Sequence, residues 1–332
     1  MLEAVGLKKT FHSGIFRRKS IIAVDNVSFS IKKGESLGLI GESGSGKTTI
    51  GKLITRLIDP TGGQVYINGQ DILKLKLPYL KKFRQRVQMI FQEPDSALDP
   101  RWKIAKSMAE PFKLHRLAQE TEIDKRVREL ISIVGLHPEH LNRYPFELSG
   151  GQLQRISLAR VLALEPEIIV ADEPTSSLDV SVQAQVLSLL KELQKKYKLT
   201  LLFISHDLNV ARRMCDRVAV MYRGTVVEEG STGTVFEKAR HPYTRSLLDA
   251  ILIPDPDVRR TMSNRGFYLP DGTPVEDYKG NNGCTFWHRC LIKDPLCMYR
   301  RPDLVQLNKM HRVACHKADL YPVLRESGCN LI

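Results

Sequence analysis

Short apolar runs alternate with helix-like stretches along roughly the first 250 residues of the chain. Four continuous runs are typical of strands buried on both faces of a parallel sheet, at residues 36–40, 87–91, 168–171 and 200–204. Residues 48–58 and 182–193 instead repeat apolar positions with helical spacing. Strands that alternate with helices in this way predict an α/β fold built on a doubly wound parallel sheet.

Two other patterns interrupt this alternation. Segments that alternate apolar and polar positions predict an antiparallel sheet, and they lie at residues 4–7, 21–24, 27–31 and 64–67, the last followed by an Asn68-Gly69 turn. From about residue 96 to 145 the pattern is helical, and Gly135 is expected to end one of these helices. We therefore expect an antiparallel β subdomain and a helical insertion, at about 96–158, beside the parallel core.

The pattern changes again beyond about residue 254. Proline, glycine and short polar residues are scattered from there to Gly283, with neither helical nor strand periodicity. We predict a linker that leads to a small cysteine-bearing tail. The expected domains are therefore residues 1–254 and a C-terminal extension at 255–332.

Composition and charge narrow the functional classes. The 332 residues are 42% hydrophobic, enough for a packed core, and the net charge of +13 calls for an acidic partner such as nucleotide, nucleic acid or an anionic membrane surface. Basic residues concentrate at 8–19 and 74–86, where a solvated basic face is an equally good interpretation. The sequence shows neither a signal peptide nor a bilayer-spanning run, so we expect a cytoplasmic location.

A glycine-rich motif follows the first buried strand. Residues 41–49, here called the phosphate loop, read GESGSGKTT and satisfy G-x4-G-K-[ST] between a strand and a helix. Its glycines let successive N–H groups turn inward toward phosphate oxygens, Lys47 can reach the β- and γ-phosphates, and the hydroxyl of Thr48 can ligate Mg²⁺. A plain strand-to-helix turn is the alternative, and the motif alone does not distinguish a kinase, GTPase, helicase or transport motor.

Polar residues at the ends of three other buried strands suit the same chemistry. Asp172 can hold Mg²⁺, and Glu173 can polarise the water that attacks the γ-phosphate, although a carboxylate pair could also cap a helix. His206 could contact the γ-phosphate or that water, or it could be an ordinary polar residue. Gln92 could supply an amide oxygen to Mg²⁺ or to the water.

A second anion site follows the helical insertion. Leu148-Ser149-Gly150-Gly151-Gln152, here called the signature, places a serine and two glycines at a predicted helix N-terminus. One nucleotide in one subunit does not need two such edges. The pair therefore predicts two domains that hold the nucleotide between them.

With the signature in place, the chain resembles an ATP-binding cassette (ABC) ATPase over residues 1 to about 250. The resemblance implies a P-loop, RecA-like parallel core in an ABC nucleotide-binding domain, with Phe11 stacking on adenine, Gln92 as the Q-loop glutamine and His206 as the switch histidine. It also implies nucleotide contacts for Phe11, Gly41, Ser43, Gly44, Ser45, Gly46, Lys47, Thr48, Thr49, Ser149, Gly150, Gly151, Gln152 and Asp179. Catalysis would fall to Glu173, His206, Lys47 and Gln92, and Mg²⁺ to Thr48, Gln92 and Asp172.

Two longer stretches refine the resemblance. VQMIFQEPDSALDPR at 87–101 and HPYTRSLLDAIL at 241–252 look like the ATPase subunits of di- and oligopeptide or nickel importers. This implies a second ATPase subunit, identical or paralogous, two integral membrane permease subunits, an external solute-binding protein and a peripheral position on the cytoplasmic face of the membrane. An ABC-type ATPase that acts on nucleic acid or the ribosome is the alternative. The single cassette and the lack of nucleic-acid modules argue against it, so no nucleic-acid partner is expected.

Four cysteines in the tail carry the remaining prediction. Cys284, Cys290, Cys297 and Cys315 are spaced C-x5-C-x6-C-x17-C in a tail too short and polar for a core of its own, which favours a [4Fe–4S] cluster as the missing cross-link. Zinc is the main rival, although it usually draws on C-x2-4-C pairs, and disulfides or idle thiols are further alternatives. The importer resemblance points to the same cluster. Cys329 is expected to be a spare thiol.

Overall fold

A computed structural model describes residues 1–13, 19–250 and 282–320. Its strands are β1 (Leu2–Ser13), β2 (Lys19–Ile31), β3 (Ser36–Ile40), β4 (Gly62–Ile67), β5 (Gln70–Asp71), β6 (Val87–Ile90), β7 (Ile168–Asp172), β8 (Thr200–Ser205), β9 (Arg217–Tyr222), β10 (Thr225–Ser231), β11 (Val305–Asn308) and β12 (His311–Val313). Its helices are α1 (Lys47–Ile54), α2 (Leu77–Arg86), α3 (Ile104–His115), α4 (Glu120–Ile133), α5 (Gly150–Leu162), α6 (Val180–Tyr197), α7 (Leu208–Met214), α8 (Thr232–Lys238), α9 (Pro242–Asp249) and α10 (Pro295–Tyr299).

The chain forms two compact units, and the first consists of Met1–Leu7, Ser28–Ser36 and Thr48–Ile204. In this unit β8, β7 and β6 are neighbours in that order and run parallel. All residues of β7 and β8 are buried, because both faces of these strands are covered. The prediction of a buried parallel sheet from continuous apolar runs is confirmed.

The antiparallel sheet has the strand order β2-β1-β4-β5. The hairpin between β4 and β5 turns at Asn68 and Gly69, whose φ angles of 51° and 78° are those of the predicted two-residue turn. One continuous strand, β2, replaces the two segments predicted at 21–24 and 27–31. Asn26, with a φ of 56°, accommodates the polar break between them without ending the strand.

The predicted helical insertion lies between β6 and β7. On α4, Ile123, Val127 and Ile131 are buried, as their spacing predicts. Gly135 has a φ of 69° just beyond this helix, which is the left-handed conformation expected after a helix C-terminus. The helix that the signature opens, α5, begins at Gly150.

The second unit consists of the described residues that lie within Lys8–Val27, Leu37–Lys47 and Ser205–Ile332. Its strand order is β11-β12-β10-β9-β3, with β3 and β9 parallel and the other three pairs antiparallel. Sequence patterns did not predict β9 and β10. They form a hairpin around Arg223 and Gly224, whose φ angles are 43° and 80°.

The C-terminal tail adds strands to this sheet. In the register of β10 and β12, Gly230 lies opposite His311 and Glu228 lies opposite Val313. Val313 is completely buried and Phe286 is 4% exposed. The tail therefore shares the core of the second unit. The boundary predicted at 254/255 and most of the predicted linker lie outside the described residues.

None of the helices in the described parts of the chain is long and apolar enough to cross a bilayer.

Candidate nucleotide-binding site

The phosphate loop follows β3 and leads into α1. Gly41 and Gly46 have φ angles of 149° and 101°, and a Cβ atom on either would lie 2.2 Å from a backbone carbonyl oxygen, that of Met221 or Ala23. Any larger residue would push the loop away from these strands. A Cβ atom on Gly44, in contrast, would meet no atom within 4 Å, so this part of the loop faces open space.

Lys47 anchors the loop from inside. Its Nζ donates hydrogen bonds to the carbonyl oxygens of Gly41 and Glu42, both at 2.8 Å, and lies 3.5 Å from the Ser45 hydroxyl. The side chain is only 4% exposed, so the ammonium group is held in place rather than hydrated. Ser45 is also buried, whereas Ser43 is exposed and Thr49 is partly exposed. A lysine ammonium held within the loop in this way supplies positive charge that suits a triphosphate.

The residues predicted to bind Mg²⁺ include a contacting pair in the first unit. The Thr48 hydroxyl donates a hydrogen bond of 3.0 Å to Asp172 Oδ1. Asp172 is the last residue of β7 and is 3% exposed. A hydroxyl and a carboxylate in contact supply the hard oxygen ligands that Mg²⁺ prefers, so these residues fit the ion.

Glu173 has an unusual backbone conformation. Its φ angle is 45°, and its N–H donates to the carbonyl oxygen of Ile204 on the neighbouring strand at 2.9 Å. A non-glycine residue in this region costs on the order of 1 kcal/mol or more, and such strain concentrates at functional sites. Gln92 Nε2 lies 3.4 Å from Glu173 Oε2. The structure thus brings together Gln92 and Glu173, two of the residues predicted to take part in catalysis.

His206 belongs to the second unit and follows directly after β8. Its side chain is exposed, two residues beyond Ile204, which is the register partner of Asp172. The next residue, Asp207, caps α7. This position is compatible with the predicted contact to phosphate or water, and that role remains a prediction.

The signature lies at the N-terminus of α5. Ser149 caps the helix: its hydroxyl accepts from the N–H of Gln152 at 3.3 Å, and Gln152 Oε1 accepts from the N–H of Ser149 at 3.0 Å. Ser149 and Gly150 are exposed, while Gly151 is buried, and a Cβ atom there would lie 2.3 Å from Val182 Cγ1 on α6. Close packing against α6 therefore requires the second glycine and leaves the capped helix end open.

Asp179 and Phe11, also predicted to contact the nucleotide, each interact with neighbouring residues. Asp179 caps α6, and the pKa of its carboxyl is lowered by hydrogen bonds, first that from the N–H of Val182 and then that from the Ser181 hydroxyl. Phe11 lies on β1 with 42% of its side chain exposed, and the Lys9 ammonium lies 5.2 Å from its ring centroid. An exposed aromatic ring remains able to stack on a base.

Cys284, Cys290, Cys297 and Cys315 line one small cavity, but the prediction of a [4Fe–4S] cluster is wrong. Within residues 1–13, 19–250 and 282–320, no group of three or more His, Cys, Asp or Glu side chains is placed to hold a metal ion. Burial raises the pKa of Cys284 to about 12 and that of Cys315 to about 11. The error lay in supposing that the tail needs its own cross-link, because Phe286 and Val313 join the core of the second unit instead. Cys329 lies outside the described residues.

The sequence reasoning missed two residues that contact the phosphate loop. The Tyr243 hydroxyl accepts from the N–H of Glu42 at 2.9 Å, and Arg289 Nη1 lies 2.9 and 3.1 Å from the two carboxylate oxygens of Glu42. The available signal was the acidic residue itself. A carboxylate inside a loop that binds anions repels them, and a neighbouring cation relieves this repulsion.

Comparisons with known proteins identify the family of this chain. Residues 24–176 match the family described as ABC transporter, and residues 227–297 match the oligopeptide/dipeptide transporter C-terminal region. The chain is 44% identical over 321 residues to the oligopeptide transport ATP-binding protein AppF of Bacillus subtilis, covering 95% of this chain and 97% of AppF. It is 43% identical over 317 residues to a putative peptide import ATP-binding protein of Brucella ovis, with 95% and 97% covered.

A solved structure shares the fold. The dimeric post-hydrolysis state of the ATP-binding cassette MJ0796, bound to ADP and Pi, is 33% identical with a TM-score of 0.64, covering 70% of this chain and 99% of that one. These relatives are named as ATP-binding proteins and cassettes. Their names support neither the iron–sulfur prediction nor the alternative of an ATPase that acts on nucleic acid. The chain therefore belongs to the ABC transporter family of ATPases, among the oligopeptide transport ATP-binding proteins.

Proposed function

We propose that this chain is the ATP-hydrolysing motor subunit of an importer for di- or oligopeptides. The observation that carries the proposal is the acidic end of β7, where Asp172 contacts the Thr48 hydroxyl and Glu173 is held in a strained conformation beside Gln92. Such an arrangement suits the hydrolysis of a nucleoside triphosphate bound at the phosphate loop.

Each predicted residue then has a task. The amides of residues 41–49 and the Lys47 ammonium bind the β- and γ-phosphates, and Phe11 stacks on the adenine ring. Thr48 and Asp172, with the amide oxygen of Gln92, hold Mg²⁺, which when bound neutralises charge on the phosphates.

Glu173 accepts a proton from the attacking water, and Gln92 keeps its carboxylate oriented. His206 fixes the γ-phosphate or the water. The hydrogen bond from the Glu173 N–H to Ile204 fixes the backbone that carries this carboxylate.

The signature serves the nucleotide of a second ATPase subunit, identical or paralogous. Its capped helix end is exposed and offers N–H groups and a positive dipole to phosphate. Two large apolar side chains near helix N-termini are also exposed: Phe146, just before α5, is 77% exposed, and Val180, the first residue of α6, is 83% exposed. Exposed apolar side chains of this kind favour a protein interface.

The remaining partners follow from the peptide-import relatives. Two integral membrane permease subunits bind the ATPase pair at the cytoplasmic face of the membrane, and an external solute-binding protein delivers peptide to the permeases. Substrate choice lies with these partners because the motor subunit does not contact the peptide.

The proposal is tested with Glu173→Gln, which preserves side-chain volume but removes the proton acceptor. We expect steady-state ATP hydrolysis to fall by about 10²–10⁴-fold while ATP binding persists, because general bases contribute on that order. The ATP-bound dimer should accumulate and co-purify in detergent with membrane-spanning permease subunits, identified by mass spectrometry.

Glu192→Gln, an exposed glutamate on α6, is the matched control and should hydrolyse ATP like the wild type. Wild-type turnover by Glu173→Gln would remove Glu173 from the mechanism. A complex that contains no integral membrane protein would contradict the importer.

A further inference from the structure

The second residue of the phosphate loop is paired with an arginine from the C-terminal tail. Arg289 lies in the described part of the tail, 247 positions along the chain from Glu42, and both belong to the second unit. One guanidinium nitrogen, Nη1, lies 2.9 Å from Glu42 Oε1 and 3.1 Å from Oε2. The tail thus reaches the loop through a direct charge contact.

An aromatic cluster holds the tail in this place. The rings of Tyr222, Tyr243 and Phe286 have centroids 4.5 to 5.5 Å apart. Tyr243 is completely buried, and its hydroxyl accepts the N–H of Glu42. The backbone of Glu42 is therefore fixed from α9 while its carboxylate is paired from the tail.

The solvent exposure of the two side chains limits how much the ion pair adds to stability. The side chains of Arg289 and Glu42 are 32% and 42% exposed, and ion pairs in such surroundings add at most about 1 kcal/mol to stability. The pair therefore contributes little to holding the fold together. Its location matters more, because a carboxylate within an anion-binding loop repels phosphate unless a cation neutralises it.

We propose that Arg289 is a positioning residue that sets nucleotide affinity by neutralising and orienting Glu42. The C-terminal tail is then a part of the nucleotide site that tunes how tightly the phosphate loop binds its anion. This inference rests on the proposed function, because it requires nucleotide to bind at the phosphate loop.

The test is a double-mutant cycle on the full chain, with MgADP as the probe so that hydrolysis does not intervene. Arg289→Ala leaves an uncompensated carboxylate in the loop, and we expect its Kd for MgADP to rise about fivefold at low salt, with the effect shrinking as ionic strength increases. Glu42→Gln leaves an uncompensated guanidinium and should lower the Kd about twofold. The double variant should return to within about twofold of the wild type, since no net charge is left.

Two further variants separate charge from docking of the tail. Arg289→Lys keeps the positive charge, and because a single guanidinium nitrogen makes both contacts with Glu42, this variant should bind MgADP within about twofold of the wild type. Arg312→Ala removes another tail arginine, which pairs with Glu229 of β10 rather than with the loop, and its Kd should not change. In ATPase assays Arg289→Ala should raise KM with little change in kcat, as expected for lost uniform binding.

The outcomes are distinguishable from failure of the proposed function. Lys47→Ala should lose MgADP binding, and if it binds like the wild type the nucleotide site itself is misplaced. If Lys47→Ala loses binding but Arg289→Ala binds like the wild type, the role of Arg289 is overturned. It is also overturned if the double variant stays as weak as Arg289→Ala. Thermal melting checks that each variant is folded. If Arg289→Ala does not fold, the twofold fall in Kd expected for Glu42→Gln tests the proposal by itself.

Discussion

Glu228 is a buried carboxylate that joins β10 to the C-terminal tail, and its removal should strongly destabilise the second unit. It is completely buried in β10, and its two oxygens have three partners: the N–H groups of Arg240 and His241 at 2.7 and 3.0 Å, and His311 Nε2 at 2.7 Å. His311 belongs to β12 and is 2% exposed. The perturbation is Glu228→Ala.

The magnitude follows from the partners left behind. Each buried donor that loses its acceptor costs about 1–3 kcal/mol, and Glu228→Ala removes the acceptor of three donors. Water entering the space would relieve part of this. We therefore expect the free energy of unfolding to fall by about 3–5 kcal/mol in Glu228→Ala. Glu228→Gln keeps the volume and one acceptor, so its loss should be about 1–3 kcal/mol.

Urea unfolding followed by tryptophan fluorescence measures this loss. The chain has two tryptophans, Trp102 in the first unit and Trp287 in the second, so in a Trp102→Phe background the fluorescence reports on the surroundings of Trp287. Glu237→Ala, an exposed glutamate on α8, is the control and should change stability by at most about 0.5 kcal/mol. A loss below about 1 kcal/mol in Glu228→Ala, or one equal to the control, would refute the reasoning.

Two other predictions concern pH and the signature. Burial lowers the pKa of His241 from 6.5 to about 4, although Glu228 opposes the shift, so the unfolded chain binds the proton more readily and stability should fall as pH drops from about 6.5 to about 4, by at most about 3 kcal/mol. His241→Asn keeps an acceptor for the N–H of Tyr243 and should flatten this slope, and an unchanged slope in urea titrations would contradict it. Ser149→Arg places bulk and charge at the open end of α5 and should abolish ATP-driven dimerisation while the single chain still binds MgADP, with Ser149→Ala as a control that removes only the helix cap. Loss of single-chain binding as complete as in Lys47→Ala would rule out the shared site.

Short-range patterns of sequence predicted most of the parallel core and the residues at its carboxyl ends. The runs at 168–171 and 200–204 are continuous and apolar because both faces of β7 and β8 are buried, a requirement that can be read without knowing the neighbouring strands. Gly41 and Gly46 were identifiable because their backbone conformations and close contacts admit no side chain. Asn68-Gly69 predicted its turn for the same local reason.

The sequence by itself therefore determined the core strands, the phosphate loop and the signature, each of which depends on burial or dihedral preferences within a few residues. Only the tertiary structure decided what the C-terminal tail does. The contact of His311 on β12 with Glu228 on β10 joins residues 83 positions apart, and that of Arg289 with Glu42 joins residues 247 positions apart. No local pattern specifies which sheet edge is available for pairing or which charged side chain needs a partner. The wrong prediction of an iron–sulfur cluster has the same origin. The cysteine spacing was interpreted on the assumption that the tail must stabilise itself, whereas the tail pairs with the sheet of the second unit and shares its core.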